Sequence, residues 1–286
     1  MLAIVELMKP AALASIVMSP VHCLFGLHIV RRGVIFIDLA VAQVAALGAA
    51  VALLMGGEPG SSQAYLMSLV FGLVGALLVS ATRFRLRTVP HEAIIGIIYV
   101  VGSACTILAL NRTAHGLEEM QNMLVGNIFT VSMDLVQETA IIYGIILLLL
   151  VLLWRRFNEA TEAKHGSGLQ VVLIDFLFYA LLAFVVASSV KLAGVLLVFT
   201  WLVMPPVAIL LWMDNLTKAA FFAVPCAIVV SIAGLLASYY MDAPTGATMV
   251  VAFGAFVTLL YVAKLLAPSR DPKGLDVHEL ADTGDR

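Results

Sequence analysis

Residues 18–54 read MSPVHCLFGLHIVRRGVIFIDLAVAQVAALGAAVALL, two apolar stretches separated by a pair of arginines. The first stretch covers residues 10–30 and the second covers residues 34–55, with Arg31 and Arg32 between them. A helix needs roughly 20 mostly apolar residues to cross a lipid bilayer. Each stretch has that length, so the segment predicts two membrane-spanning helices joined by a short basic turn.

The same pattern continues along the chain. The chain of 286 residues is 62% apolar and 12% charged, with a mean hydropathy of +1.07, whereas soluble domains are about 45–50% apolar and about 25% charged. We therefore predict an all-α polytopic membrane protein of about eight to nine transmembrane helices. Lys191 and Gly194 leave the number open, because they make the sixth and seventh stretches either a tight hairpin or one broken element. The further apolar stretches lie near residues 64–81, 93–110, 137–154, 170–190, 192–212, 219–240 and 246–267.

The distribution of charge predicts the domain organisation and the orientation. Residues 1–267 form one transmembrane domain with short loops, and residues 268–286 form a polar, disordered cytoplasmic tail. Basic residues favour the cytoplasmic side of a membrane. If the first basic turn is cytoplasmic, nine alternating spans place every Lys and Arg on that side except Lys9, Arg112 and Lys191. The N-terminus is then outside and the C-terminus inside.

Several classes of function are excluded. A net charge of -2 without a basic block offers no surface to a nucleic acid. Three cysteines without paired spacing argue against a disulfide framework or a zinc cluster. The sequence contains no phosphate-binding loop and no G-x-S-x-G or H-E-x-x-H motif. We therefore predict that the chain is not an enzyme, and that any ATP hydrolysis occurs on a separate subunit that binds the longest cytoplasmic loop, residues 155–170.

Polar side chains gather in the first two helices. A charged residue in mid-membrane costs at least about 2.5–3.5 kcal/mol, so each one needs a reason. His22 and Gln43 stand at similar distances from Arg32 in sequence, which at about 1.5 Å per residue places both about 15 Å from the turn. His28 and Asp38 form a shallower pair. Imidazole, carboxylate and amide groups directed toward one axis would form a ligand set for a transition-metal ion.

Each of these residues also has a structural interpretation. Asp38 is suited to capping the second helix or to pairing with Arg31 or Arg32 near the interface. His22 would be a neutral histidine bonded to a neighbouring helix, and Gln43 would be a polar contact between helices. Asp38 and Gln43 lie about 140° apart around a helix, so they cannot both point in the same direction.

Other positions are candidates for structural or pathway roles. Pro205-Pro206 interrupts the helical pattern of the seventh stretch, either as a packing kink or as a break that lines the pathway. Glu92 is an acidic residue at the start of the fourth helix, where the helix dipole favours it. Asp175 near the start of the sixth helix and Asp242 in the outer turn MDAPTG are interpreted as capping or turn residues.

Five segments carry a resemblance to a known family: GLHIVRRGVIFIDLAVAQVAALG at 26–48, HEAIIGIIY at 91–99, LVGNI followed by VS within 124–132, GVLLVFTWLVMP at 194–205 and DAPTG at 242–246. In this order they resemble the ABC-3 family, the membrane permease subunits of bacterial zinc, manganese and iron ABC importers. The resemblance covers about residues 25–260. It implies an ABC-3 permease-like bundle in the bacterial cytoplasmic (inner) membrane. The motif positions it marks as structural or pathway residues are Glu92, Gly126, Asn127, Gly194, Pro205 and Asp242.

The resemblance also implies partners and a cargo. The family works as a homodimer of permeases with two ATP-binding subunits and an extracytoplasmic metal-binding protein. The cargo would be Zn²⁺ or Mn²⁺, with Fe as a further candidate, and no cofactor would be bound tightly. The pathway would lie near the dimer axis, lined partly by the second helix. The segment 157–168 lies where the family places the helix that couples to the ATPase, with candidate contacts at Phe157, Asn158, Glu159, Ala160, Ala163 and Gly166.

One position departs from the family pattern. The usual second helix carries an acidic residue and a histidine four residues apart, followed five residues later by glycine. Counting back from that glycine places Gln43 at the histidine position and Leu39 at the acidic position, with Asp38 one step early. We hypothesise that His22, together with His28, supplies the missing imidazole from the first helix. The alternatives are a permease for a larger metal chelate or vitamin and, from another class, a secondary cation carrier.

Overall fold

The computed structural model describes residues 2–58, 60–83, 89–113, 126, 128–163 and 168–267. Over these ranges the chain forms nine α-helices, one 3-10 helix and no strand, which confirms the all-α prediction. The predicted tail 268–286 lies outside the described residues, as do Asn127 and Gly166. The α-helices are α1 (Leu2–Arg32), α2 (Ile37–Leu54), α3 (Ser62–Arg83), α4 (His91–Leu110), α5 (Met133–Leu152), α6 (Trp154–Thr161), α7 (Leu169–Leu210), α8 (Leu216–Met241) and α9 (Thr245–Leu266), and the 3-10 helix is Ile128–Thr130.

Eight of these helices, all except α6, are long and apolar enough to cross a membrane. This number agrees with the eight to nine predicted from the sequence. Of these eight helices, α1 is the most deeply buried in the bundle and α9 is the least buried. The outer helices expose large apolar side chains such as Leu66, Val70 and Leu77 of α3. Contact with lipid accounts for this exposure, since hydrocarbon does not penalise apolar surface.

α7 reverses direction at Gly194, the residue within it that has non-helical backbone angles (φ 76°, ψ 159°). A straight helix of 42 residues would be about 63 Å long, roughly twice the thickness of the hydrocarbon layer. His22 of α1 contacts both Ser189, which precedes the bend, and Trp201, which follows it. The first arm of α7, before Gly194, and the second arm, after it, therefore lie against the same part of α1. They correspond to the sixth and seventh predicted stretches, joined as a tight hairpin.

The non-helical residue of the seventh stretch is Gly194, so of the two alternatives for Pro205-Pro206 the break that lines the pathway is wrong and the packing interpretation stays. The second arm stays helical through both prolines. There it packs closely on α1: a Cβ atom on Gly26 would overlap the carbonyl oxygen of Leu202 and would lie 2.8 Å from Cγ of Pro206. The missing side chain of Gly26 leaves room for this contact, and packed membrane helices tolerate proline because their neighbours support the altered backbone.

Basic residues gather at one end of the bundle, here called the basic end. Nε of Arg31, at the end of α1, lies 3.1 Å from Oε1 of Glu162, just after α6. Nζ of Lys264, near the end of α9, lies 5.1 Å from the ring centre of Trp212, which follows α7. This agrees with the prediction that these basic residues share one side. The opposite end carries the α2–α3 loop, the 3-10 helix and the α8–α9 turn.

Local hydrogen bonds and backbone angles fix several helix ends. The hydroxyl of Ser132 accepts a hydrogen bond from the N–H of Leu135 at the start of α5, and the side-chain oxygen of Asn215 accepts one from the N–H of Lys218 at the start of α8. Such caps satisfy N–H groups that have no partner within the helix. Asp242 ends α8 in the left-handed conformation, with φ 49°, which aspartate tolerates better than most residues. Asp242 is therefore a turn residue, as the sequence indicates.

Candidate functional site

His22 lies at the centre of the bundle and is fully buried. Its Nδ1 is 2.7 Å from the carbonyl oxygen of Met18, and its Nε2 is 2.9 Å from Oγ of Ser189 in the first arm of α7. The rings of Tyr143 and Trp201 lie 6.0 and 5.7 Å from the imidazole ring. Both ring nitrogens therefore have polar partners. These contacts favour the interpretation of a histidine bonded to a neighbouring helix, because a metal ion would have to replace one of the two bonds.

His28 is also buried, closer to the basic end. Its Nδ1 lies 2.9 Å from Oγ1 of Thr161 in α6, while its Nε2 has no hydrogen-bond partner among the described residues. The ring of Trp154 is 4.7 Å away and that of Phe178 is 5.5 Å away, both in edge contact. The contacts of His28 thus join α1 to α6 and to the first arm of α7.

Asp38 lies in the first turn of α2 and is only 2% exposed. Its Oδ1 is buried and has no hydrogen-bond partner within the described part of the chain. An ion pair with Arg31 or Arg32 is one alternative that the sequence indicates for Asp38. That alternative is wrong, because Arg31 pairs with Glu162 and Arg32 pairs with Asp175. A buried carboxylate oxygen is unfavourable unless a proton, a hydrogen bond or a cation compensates it. Of the predicted ligands, Asp38 therefore offers a carboxylate oxygen to a cation, and His28 leaves Nε2 without a described partner.

Gln43 faces α4. Its Cβ lies 3.4 Å from the position of a Cβ atom added to Gly102, and its backbone carbonyl oxygen accepts a hydrogen bond of 3.4 Å from the hydroxyl of Thr106. Gln43 therefore lies at the interface with α4, while a polar contact of its side-chain amide between helices stays a prediction. The contacts described for His22, His28 and Gln43 thus involve different helices, and over the described ranges no three His, Cys, Asp or Glu residues are placed to hold a metal ion. A metal-binding role for these residues stays a prediction.

α6 is a short amphipathic helix at the basic end. Its buried face packs on α1 and α7 through Phe157, Ala160 and Thr161. Its other face carries Arg155 and Glu159, which form an exposed ion pair of 3.2 Å. A helix with one face in the bundle and the other in water is suited to bind a second protein.

The six predicted ATPase contacts are divided between the two faces of α6 and the residues after it. Phe157 and Ala160 are buried, so any effect of theirs on an ATPase would act through packing. Glu159 is exposed, and Asn158 and Ala163 are half-buried. Gly166 is outside the described residues. Contact of these residues with an ATPase stays a prediction.

A buried polar network joins the ends of α1, α6 and α7. Nη1 of Arg32 lies 2.8 Å from Oδ1 of Asp175, and both side chains are 0% exposed. Nε of Arg32 donates to Oγ1 of Thr161 at 3.1 Å, the same hydroxyl that meets His28. The guanidinium carbon lies 4.0 Å from the ring centre of Phe178. Asp175 is thus half of a buried ion pair, and its interpretation as a capping or turn residue is wrong.

Two glycines from separate motifs meet at the opposite end of the bundle. Gly126 has a positive φ of 62°, and a Cβ atom there would overlap the backbone of Ala193 and Gly194. Gly126 therefore packs directly on the bend of α7. Glu92 lies in the first turn of α4, as predicted, and is half-buried. Pathway roles for these residues stay predictions.

Three residues that contact His22, His28 or Arg32 were not identified from the sequence. They are the hydroxyl residues Thr161 and Ser189 and the indole residue Trp201. The two hydroxyls also bond to carbonyl groups of their own helices, at 2.7 and 2.6 Å. Hydroxyl groups in apolar helices commonly do this, so their sequence context carries no signal of a second partner. The pairing of Asp175 could have been predicted from the sequence. An acid near the start of an apolar stretch that begins at the basic end lies at the same depth as Arg32.

Comparison with known proteins gives relatives along most of the chain. The model of the ABC 3 transport family matches residues 4–266. The "Probable iron transport system membrane protein" of Haemophilus influenzae is 30% identical over 223 residues, which are 73% of this chain and 76% of that relative. The "Manganese transport system membrane protein MntC" of Listeria monocytogenes is 24% identical over 266 residues, which are 92% of this chain and 91% of the relative.

A solved structure has the same fold. The structure of PsaBC from Streptococcus pneumoniae in complex with Fab matches with a TM-score of 0.73 and 20% sequence identity, covering 89% of this chain and 91% of that chain. The family match takes in all eight helices that are long enough to cross a membrane. The chain is therefore a multi-pass membrane protein that belongs to the ABC 3 transport family.

Proposed function

We propose that the chain is the permease subunit of an ATP-driven importer of divalent metal ions. The observation that carries the proposal is the family match over residues 4–266. The names of the two relatives, which specify iron and manganese, support a metal cargo. The permease forms a homodimer, associates with two copies of a separate ATPase, and receives its cargo from an extracytoplasmic metal-binding protein.

In this proposal the basic end faces the cytoplasm, as the preference of basic loops for that side indicates. The N-terminus is then outside and the C-terminus inside. The ATPase binds the exposed face of α6, and the exposed charges of Arg155, Arg156, Glu159 and Glu162 support this assignment. The metal-binding protein docks on the opposite end, which carries the 3-10 helix.

We propose Mn²⁺ as the preferred cargo, ahead of Fe²⁺ and Zn²⁺. Asp38 offers a buried carboxylate oxygen that has no partner among the described residues, and Gln43 stands where the family pattern has a histidine. Carboxylate and carbonyl oxygens suit Mn²⁺, whereas Zn²⁺ prefers nitrogen and sulfur ligands. Asp38 therefore contacts the cation as it passes along α2.

The test uses the permease, its ATPase and the binding protein together in proteoliposomes. We expect ATP-dependent accumulation of radioactive Mn²⁺, with weaker competition from Zn²⁺ than from Fe²⁺. Uphill uptake by the permease without ATPase would support a secondary cation carrier instead. Uptake of a metal chelate without uptake of the free ions would support the larger cargo.

A matched pair of variants tests the role of Asp38. Asp38→Asn keeps the shape of the side chain and removes its charge, so we expect loss of most Mn²⁺ uptake with normal assembly. Asp134→Asn, at an exposed acid in the first turn of α5, should leave uptake unchanged. Equal uptake by both variants would remove Asp38 from the pathway while leaving the transport function itself intact.

A further inference from the structure

We infer that Arg32, Thr161 and Asp175 form a buried link that transmits movement of α6 into α1 and α7 during transport. This inference rests on the proposed function, since it assigns these residues to the step in which an ATPase moves the permease. They are positioning residues, because the distances place them against one another rather than against a cargo.

The link begins at the face of α6 that points into the bundle. α6 spans eight residues, and its exposed face is the one a soluble partner can reach. On the buried face, the ring of Phe157 lies 5.4 Å from that of Phe178 in α7 and 6.3 Å from that of His28 in α1. A partner that displaces α6 must therefore displace the ends of two spanning helices or separate these contacts.

The guanidinium group of Arg32 fixes the three helices relative to one another. Its Nε reaches the hydroxyl of Thr161 in α6 at 3.1 Å, while its Nη1 reaches Asp175 in α7 at 2.8 Å. Arginine makes both bonds at a fixed angle, because its donors lie in one rigid plane. Lysine would keep the charge but would replace this planar fork with a single flexible ammonium group.

Burial makes the link resist separation. The side chains of Arg32 and Asp175 are both fully buried, so separating them removes a partner from a charge that lies out of contact with solvent. Separating two buried charges is far more unfavourable than separating an exposed pair. Arg31 and Glu162 form such an exposed pair beside the link, with side chains 39% and 62% exposed. The two pairs therefore offer a matched comparison.

The end of α1 also leads directly to the candidate cation contact. α2 begins at Ile37, five residues after Arg32, through a turn in which the N–H of Val34 bonds to the carbonyl oxygen of Ile29 at 3.3 Å. Asp38 stands in the first turn of α2. A shift of Arg32 thus moves the start of the helix that carries Asp38, so the link connects α6 to the proposed pathway.

The experiment measures the coupling ratio, the number of Mn²⁺ ions transported per ATP hydrolysed by the complete transporter in proteoliposomes. Thr161→Val replaces one hydroxyl group with a methyl group of similar size, and Thr161→Ser retains the hydroxyl. We expect Thr161→Val and Arg32→Lys to lower the ratio by at least about fivefold, the lower range of measured coupling between sites. Thr161→Ser and the exposed control Arg31→Lys should keep the ratio of the unmodified protein.

The outcomes separate the link from the proposed function. An equal fall of transport and ATP hydrolysis in Thr161→Val and Arg32→Lys leaves the ratio unchanged and overturns the link, while transport by the unmodified protein still stands. Failure of both variants to assemble, where Thr161→Ser assembles, would show a purely structural role and would also overturn it. Absence of ATP-driven uptake by the unmodified transporter would overturn the proposed function, and the link with it.

Discussion

Nη1 of Arg32 lies 2.8 Å from Oδ1 of Asp175, and neither side chain is exposed. Removing two charges from water is costly, and their attraction compensates only when the geometry is good and further hydrogen bonds are formed. Arg32 has such additional contacts with the hydroxyl of Thr161 and the ring of Phe178. The ion pair is therefore favourable as a pair, and either charge alone would destabilise the bundle.

We expect Asp175→Leu to lower the free energy of unfolding by about 3–5 kcal/mol, because it leaves the charge of Arg32 buried without compensation. The double variant Arg32→Met/Asp175→Leu should lose less than Asp175→Leu alone. Thermal unfolding of the purified protein in detergent, followed by circular dichroism, measures both. The exposed control Arg31→Gln should change stability by less than about 1 kcal/mol. A double variant as unstable as the sum of its two single variants would contradict this account.

The contact between α1 and the second arm of α7 requires glycine at position 26. Gly26→Ala would drive its Cβ into the carbonyl oxygen of Leu202, a backbone atom that cannot rotate away. We expect this variant to yield little monodisperse protein in size-exclusion chromatography. Gly254→Ala is the matched control, since nothing lies within 4 Å of its Cβ and alanine is favoured over glycine in a helix by about 1 kcal/mol. Similar yields from both variants would disprove the close approach.

The bend of α7 requires glycine at position 194. Its φ of 76° and ψ of 159° lie in a region that only glycine occupies readily, at a cost of about 1–3 kcal/mol for other residues. We expect Gly194→Ala to lower the melting temperature, whereas Gly144→Ala should not. Gly144 lies inside α5, and nothing lies within 4 Å of its Cβ position. A melting temperature of Gly194→Ala equal to that of Gly144→Ala would show that the bend tolerates a side chain.

Substitutions of His22 test whether this residue is a structural histidine or a metal ligand. We expect His22→Gln to keep most ATP-driven Mn²⁺ uptake per assembled transporter. In the unmodified protein the hydroxyl of Ser189 lies 2.9 Å from Nε2 of His22, and the amide of glutamine can bond to the same hydroxyl. His22→Ala should unfold at a lower temperature, since it leaves a cavity beside Trp201. Complete loss of uptake in a stable His22→Gln variant would instead support the hypothesis of a ligand that replaces the missing histidine of α2.

The sequence predicts the spanning helices well, because membrane crossing depends on the length and hydropathy of each stretch alone. The eight long helices and the shared end of the basic residues follow from these local properties. The sequence also identifies Lys191 and Gly194 as the place where two stretches form either a tight hairpin or one broken element, and the structure shows the hairpin. The sequence leaves Pro205-Pro206 as either a packing kink or a break. The structure remains helical there, and the sequence could not decide this because the support that α1 gives to the prolines depends on tertiary packing.

The polar sites are harder to predict, since they depend on which face each helix presents to its neighbours. His22 and Gln43 have similar depths in sequence, yet the ring of His22 contacts Ser189 of α7, whereas the Cβ of Gln43 lies against Gly102 of α4. Rotation about the helix axis decides this difference, and depth along the axis does not report it. The same limit applies to Asp175, whose partner Arg32 lies 143 residues away in the chain.

The first arm of α7 has a contact near each of its two ends. At the basic end its Asp175 joins α6 through Arg32, and at the opposite end its bend packs directly against the backbone of Gly126. A protein that presses on either side of the membrane would act on the same rod, without an intervening flexible connection. In the proposed transporter, events on the two sides of the bilayer would therefore converge on the first arm of α7.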